Sequence, residues 1–250
     1  MSEAPNIIFM TSLGGWDNEL VEYQQYSLNT WKHYAAKHGH KLVLFTESIM
    51  NTRQMRPTWQ RWHVYDVLEK EDVSYNQVAL VDLDTMVKWN APDIFEASQD
   101  RYSGVKDNIN PAWNVESILG YKSLFPDTEL DWDSYINNGV VILPSKEGKA
   151  FCKKVLDFYY ANQGELNYKE AVSLRRGSDQ TPVNYLAVEF FGDQRNFLNK
   201  RFNMMHLPST DVLKEDMYIN HGYVWHFNGL LPHERINYMR YTWNKISQNY

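Results

Sequence analysis

The sequence predicts an α/β fold: a mostly parallel central sheet, helices on both of its faces, and a small antiparallel element. Two observations carry this. Apolar runs at residues 6–11, 41–46 and 77–82 each have the length of a buried strand. The stretches between them keep helical spacing and are long enough for crossovers, so neighbouring strands pair in parallel.

The first run, NIIFMT, is bounded by turn residues, and Ser12, Leu13, Gly14 and Gly15 follow as a loop. Residues 17–38 place Leu20, Tyr23, Ser27, Trp31, Tyr34 and Ala35 at helical intervals, and Gly39 supplies a stop. KLVLFT is the second strand. Pro57 and Thr58 open a second helix with Val64, Val67 and Leu68 on one side. QVALVD is the third strand. Further on, residues 102–105 and 139–143 read as strands, the latter as the antiparallel addition to the sheet. Ser145 is placed to cap a helix whose inner face carries Phe151, Val155, Leu156 and Tyr159, and Asp179 begins another that runs to residue 190. With no repeat and no linker, the expectation is one domain over residues 1–250.

Composition narrows the function. A net charge of −6 without a basic stripe argues against a nucleic-acid partner. The single cysteine, Cys152, excludes an internal disulfide and fits a reducing compartment. The first residues lack a basic region and a long apolar run, and no later stretch approaches a membrane span, so the expected location is cytoplasmic. Aromatic residues make up 15% of the chain. Most belong in the core, leaving a few as ring platforms for a base or a sugar.

The sharpest chemical feature is Asp82-Leu83-Asp84 after the apolar run VALV. In extended chain, residues two apart share a face, so the two carboxylates converge at the carboxyl end of a strand. Such a pair repels unless a hard divalent cation neutralises it, and ligands of open α/β sheets sit at that end of the strands. The bland alternative is a turn-capping Asp84 beside a solvated Asp82. A phosphohydrolase of the haloacid-dehalogenase type also uses an Asp-x-Asp, but wants Thr or Val where Met86 stands; Thr85 falls one position early.

Three more segments follow. Asn137-Asn138-Gly139 precedes a buried strand and offers amides that match sugar hydroxyls, although Asn-Gly is also a turn pair. Asp179-Gln180 with Asn184 sits at a helix start, where Asp179 also suits an N-cap. Trp225-His226-Phe227-Asn228-Gly229 gives a histidine among aromatics, a setting that also suits a core residue.

In this order the segments resemble the GT-A glycosyltransferases, the glycogenin and lipopolysaccharide-galactosyltransferase group above all, with related galactosyl- and mannosyltransferases. Tyr34-Ala35-Ala36-Lys37-His38-Gly39 and Trp59-Gln60-Arg61 add to the match, which spans nearly the whole chain. The resemblance implies a GT-A, Rossmann-like fold with a nucleotide-binding half at residues 1–100 and an acceptor- and sugar-binding half at 101–250. It implies transfer of a sugar from a nucleotide-sugar donor, UDP-sugar favoured, to a glycan or other hydroxyl acceptor, with retention of configuration. Asp82, Asp84 and His226 would hold Mn²⁺ or Mg²⁺. Thr11, Ser12 and Trp16 would meet the nucleoside. Arg61, Leu83, Asn137, Asn228 and Gly229 complete the donor site. Asn138, Asp179 and Gln180 would surround the transferred sugar, with Gln180 near the reacting carbon; an inverting enzyme would instead use Asp107 or Asp179 as base. The family's lysine after His-Phe-x-Gly is missing, and His233, Arg235 or the Arg175-Arg176 pair are the substitutes. Gly14-Gly15 and residues 107–114 are candidates for a closing loop. Two rivals stand beside this reading: a metal-dependent phosphohydrolase using the acid pair, and a non-catalytic nucleotide-sugar or glycan-binding protein.

Overall fold

A computed structural model describes residues 4–13, 18–205, 207 and 216–250. Strand β1 (Ile7–Thr11) leads to helix α1 (Asn18–His38) and strand β2 (Lys41–Phe45). The expected second helix is broken into α2 (Pro57–Gln60), a 3₁₀ turn (Arg61–His63) and α3 (Val64–Lys70). The tight turn buries Arg61, Trp62 and His63.

Strand β3 (Val78–Val81) is followed closely by β4 (Thr85–Val87), a strand the sequence reading did not anticipate. Helix α4 (Ile94–Ser98), strand β5 (Ser103–Lys106) and helix α5 (Pro111–Tyr121) come next. Strand β6 (Ile136–Leu143) begins three residues before the expected 139–143, so both asparagines lie within it. Helices α6 (Gly148–Tyr168) and α7 (Gln180–Phe191), strand β7 (Asn196–Phe197), helix α8 (Met217–His221), strand β8 (Val224–His226) and helix α9 (Pro232–Ile246) complete the chain.

The main sheet has the order β2-β1-β3-β6-β5-β7, with β6 antiparallel to both neighbours and the other pairs parallel. β4 and β8 form a separate antiparallel pair that places Thr85 opposite His226. Alternation along the strands feeds two cores. Ile7, Phe9, Val78, Leu80, Val141 and Leu143 face the α3, α6 and α7 side. Ile8, Met10, Ala79, Val81, Val140 and Ile142 face Trp31, Tyr34 and Ala35 of α1. A third cluster joins Met86, Trp225 and Phe227 to Met239 and Ile246 of α9. Burial on both faces is why these strands read as continuous apolar runs.

Two expected caps are corrected. Ser145 lies before α6, whose N-cap is Glu147; its amide and hydroxyl both donate to Asp100 instead. Asp179 occupies the N-cap of α7 without capping it, because its carboxylate is turned inward to other donors.

Candidate active site

The acid pair sits where β3 leaves the sheet. The Asp82 amide still donates to the Gly139 carbonyl at 2.9 Å, and the chain then turns. The Thr85 amide and hydroxyl both return to the Asp82 carbonyl, at 3.2 and 2.6 Å, and the Trp31 indole donates to the Thr85 hydroxyl at 2.9 Å. The carboxylates therefore converge through a pinned turn and not through strand alternation. Leu83, between them, is buried in the α1-side core.

The β4–β8 pairing brings His226 to this turn. The Phe227 amide donates to the Asp84 carbonyl at 2.9 Å, which fixes the register. His226 Nε2 lies 3.2 Å from Asp84 Oδ1 and 3.8 Å from Asp82 Oδ2, and one donor atom from each of the three residues falls within 4.8 Å of the others. His226 Nδ1 meets Asn203 Oδ1 at 3.0 Å, while Asn203 Nδ2 donates to Asn137 Oδ1 at 3.0 Å. With the asparagine's donor spent on Asn137, Nδ1 must carry a proton, which turns Nε2 toward the two acids, where it holds either a second proton or, deprotonated, a cation. Gly139 makes this packing possible, since a Cβ there would fall inside the His226 ring.

Charge is arranged around the pair. Burial favours a neutral Asp84, but His226 and Arg235 outweigh it and hold the carboxyl below its usual range. Burial also disfavours an imidazolium at His226, yet the facing Asp84 and then Asp82 raise it. Two acids and one imidazole within reach of a common point form a donor set for a divalent cation, and the imidazole shifts preference toward a transition metal. Arg61, almost wholly buried, donates to Asp82 Oδ1 and to the Asn138 carbonyl, both at 2.6 Å. It ties the acid turn to β6. Of the three substitutes for the missing lysine, the structure brings Arg235: its Nε lies 3.3 Å from Asp84 Oδ2. His233 and Arg175 are exposed, and Arg176 pairs with Glu116.

Beside the acid turn lies a second polar cluster. Asp179 Oδ2 accepts from the Trp62 indole and from Asn138 Nδ2, each at 3.1 Å. Gln180 Oε1 accepts from the Asn138 amide at 3.1 Å, and its Nε2 reaches Asp107 Oδ2 at 3.4 Å. Asn137 Nδ2 donates to the same Asp107 oxygen at 3.1 Å. Burial lifts the Asp179 carboxyl to about 6, against the pull of Arg61. Asn138 Oδ1 is buried with no partner among the described residues, which leaves an acceptor for a ligand's hydroxyl. Asp107, Asn137, Gln180, Asn228 and Gly229 line a cavity of about 270 Å³ whose wall is completed by Asn110, Trp113 and Asn114 of α5 and its cap.

Most of the expected site residues thus come together. Thr11 and Ser12 end β1 at the same edge of the sheet, though the Ser12 hydroxyl is taken up by Gln24 at 2.8 Å. Trp16, Gly14 and Gly15 lie outside the described residues. The second half of the segment named as a closing loop, residues 111–114, is the start of α5, with Asn110 capping it through the Trp113 amide. Asn203 and Trp113 were missed: an asparagine before two methionines and a tryptophan in an amphipathic helix carry no local signal.

No protein-family model matches the sequence, and no curated protein matches it. The fold does have relatives. A glycosyltransferase involved in glycosylation of the major capsid of PBCV-1 superposes with a TM-score of 0.56 at 15% identity, over 95% of this chain and 100% of that one. The galactosyltransferase LgtC, solved with donor and acceptor sugar analogs, gives 0.51 at 14% identity over 96% of each chain. Mouse xyloside xylosyltransferase 1 gives 0.50 at 11% identity, over 91% of this chain and 99% of that one. Identities this low speak for architecture alone: the chain has the fold of the GT-A glycosyltransferases.

Proposed function

We propose that this protein is a divalent-metal-dependent glycosyltransferase that moves a sugar from a nucleotide-sugar donor, UDP-sugar favoured, to a hydroxyl acceptor with retention. The observation that carries the reading is the adjacency of two built clusters where the central strands β3 and β6 meet, at the carboxyl end of β3. Asp82, Asp84 and His226 form a cation-binding triad, and Asn138, Asp179 and Gln180 form a hydrogen-bonded amide and acid cluster behind the cavity that Gln180, Asp107 and Asn137 line, the two joined by the buried Arg61.

A bound Mn²⁺ or Mg²⁺ would supply Lewis-acid stabilisation of the charge that builds on the departing diphosphate, with the histidine tilting the choice to manganese. The chain's own residues do the rest. Arg235, beside Asp84, adds fixed positive charge on the leaving-group side. Arg61 holds Asp82 and the Asn138 carbonyl in fixed relation, so the two clusters cannot drift apart. Asn138, Gln180 and Asp107 present amides and a carboxylate to hydroxyls of the transferred sugar. Asp179, held by Trp62 and Asn138, keeps a carboxylate beside the carbon at which positive charge develops. The acceptor oxygen forms its bond to that carbon as the carbon–oxygen bond to the diphosphate breaks. The electron pair departs with the phosphate oxygen, which also takes the acceptor's proton. Cavity walls of Trp113 and Asn110 restrict water around the reacting centre.

The rival phosphohydrolase reading draws no support from the turn, because the Thr85 hydroxyl is consumed in holding the Asp82 carbonyl and Asp82 is held by Arg61. A thermal-shift panel of UDP, GDP, CDP and their sugars, each with Mn²⁺ or chelator, tests the proposal. The expected result is a metal-dependent rise in melting temperature with one nucleotide. Equal shifts with and without chelator, or none, would remove the metal-bridged donor site.

A further inference from the structure

The two edges of the main sheet are treated differently. One is β7, only two residues long. The other is β2, five residues carrying neither proline nor bulge, with Leu42-Val43-Leu44-Phe45 uncharged. Every residue of β3 and β6 is buried, whereas Lys41 is exposed and Leu42, Val43 and Leu44 are only partly covered. Edges of this length are ordinarily blunted by charges, bulges or a covering element.

The register fixes which main-chain groups are open. The Lys41 amide donates to the Asn6 carbonyl at 3.0 Å, and the Phe45 carbonyl accepts from the Ser12 amide at 2.8 Å, so the odd residues bond to β1. In a parallel pair the even residues then point both their N–H and their C=O away from it. For Leu42 and Leu44 that direction is the sheet's free edge, because β2 pairs with β1 alone among the described strands. Alongside runs a groove of about 830 Å³, floored by β2 and walled by Asp66, Val67 and Lys70 of α3.

We infer that this edge is the interface with a second copy of the chain, β2 pairing antiparallel with β2 of the partner across a two-fold axis normal to the sheet. The strand is self-complementary in charge. With the axis at Leu44, Leu44 faces its own copy, Leu42 faces Thr46 of the partner subunit, and each such pair exchanges main-chain hydrogen bonds. The same register sets Lys41 against Glu47 of the partner subunit at both ends of the seam. Both are exposed and neither is in an ion pair among the described residues. The groove lies on the α3 face, where a two-fold axis of this kind also brings the partner's α3. The inference is independent of the proposed activity.

Sedimentation of the full chain with Lys41→Glu, Glu47→Lys and the double exchange tests it. The expected wild-type species is a dimer. Each single exchange should weaken dimerisation about tenfold, by placing like charges at both ends of the seam, and the double exchange should restore it. Both positions lie on the surface, so the single variants should keep near-native circular dichroism, which separates loss of pairing from loss of folding. A wild-type chain that stays monomeric at about 0.1 mM would overturn the inference and leave the edge to a strand of another protein. A dimer indifferent to either exchange, or not rescued by the double one, would overturn it as well.

Discussion

Asp84 and Asp179 are both largely withdrawn from water, and their surroundings push them in opposite directions. Asp84 faces His226 and Arg235 and is held below the usual carboxylate range. Asp179 feels the charge of Arg61, with which it makes no direct ion pair, and then the hydrogen bonds of an indole and an amide; together these do not offset its burial, and it rises to about 6. Burial alone raises both. What separates them is how closely positive charge approaches: His226 and Arg235 both lie in contact with Asp84, whereas Arg61 acts on Asp179 without a direct ion pair. The first environment suits a permanent anion that shares a cation; the second suits a carboxylate poised near neutrality beside a centre where charge appears.

The comparison is broken most completely by Asp84→Ala. Loss of one of three donors should lower turnover by about a thousandfold or more, while the fold, held here by the main-chain bond from Phe227 to the Asp84 carbonyl, survives. Steady-state kinetics with near-native circular dichroism would check this.

The opposite carboxylate makes a prediction about stability. Its folded value of about 6 lies above its ordinary 3.8, so the folded state binds this proton more tightly. The associated stabilisation is fully present below about pH 4 and is lost as pH rises through 6, amounting to about 3 kcal/mol across the window. Asp179→Asn carries no such proton. Denaturant titrations at pH 4 and 7 should therefore show a wild-type decline that the variant lacks. A parallel decline in both would assign the pH dependence elsewhere.

Smaller effects sharpen the metal side. Asn203→Ala removes the partner that orients His226 Nδ1, and Gly139→Ala pushes against the same ring. Each should weaken Mn²⁺ binding about 10- to 100-fold, with Gly139→Ala also lowering the melting temperature. Smallest is Trp113→Ala at the cavity wall. It should raise KM for the donor about tenfold with kcat little changed, because it removes apolar contact from ground and transition states alike.

How much of this was legible beforehand depended on whether a signal was local. VALV running into Asp82-Leu83-Asp84 announced a buried strand ending in an acid pair, and the βαβαβ order followed from apolar runs of strand length. The reason offered for convergence was wrong in detail, since the turn fixed by Thr85 and Trp31 does the work of strand alternation. Thr85-Met86-Val87 is too short to stand out, and it is a strand only because Val224–His226 lies against it, well over a hundred residues away. Asn203 belongs to the same class: its role comes from the pairing that carries His226 to Asp84, and no window of sequence around it contains that information. Arg235 was named among the substitutes for the missing lysine, and only the choice between them needed the fold. Asp179 misled for the opposite reason: its local context is that of a helix cap, but Trp62 and Asn138 are better partners for its carboxylate.

The central claim is that Asp82, Asp84 and His226 hold a cation against which a nucleoside diphosphate binds. Calorimetric titration of UDP into the protein with Mn²⁺, with chelator, and into Asp84→Ala with Mn²⁺ tests it most directly. Binding in the first titration alone is the expected result; binding of equal strength in all three would contradict the cation site and the donor geometry built on it.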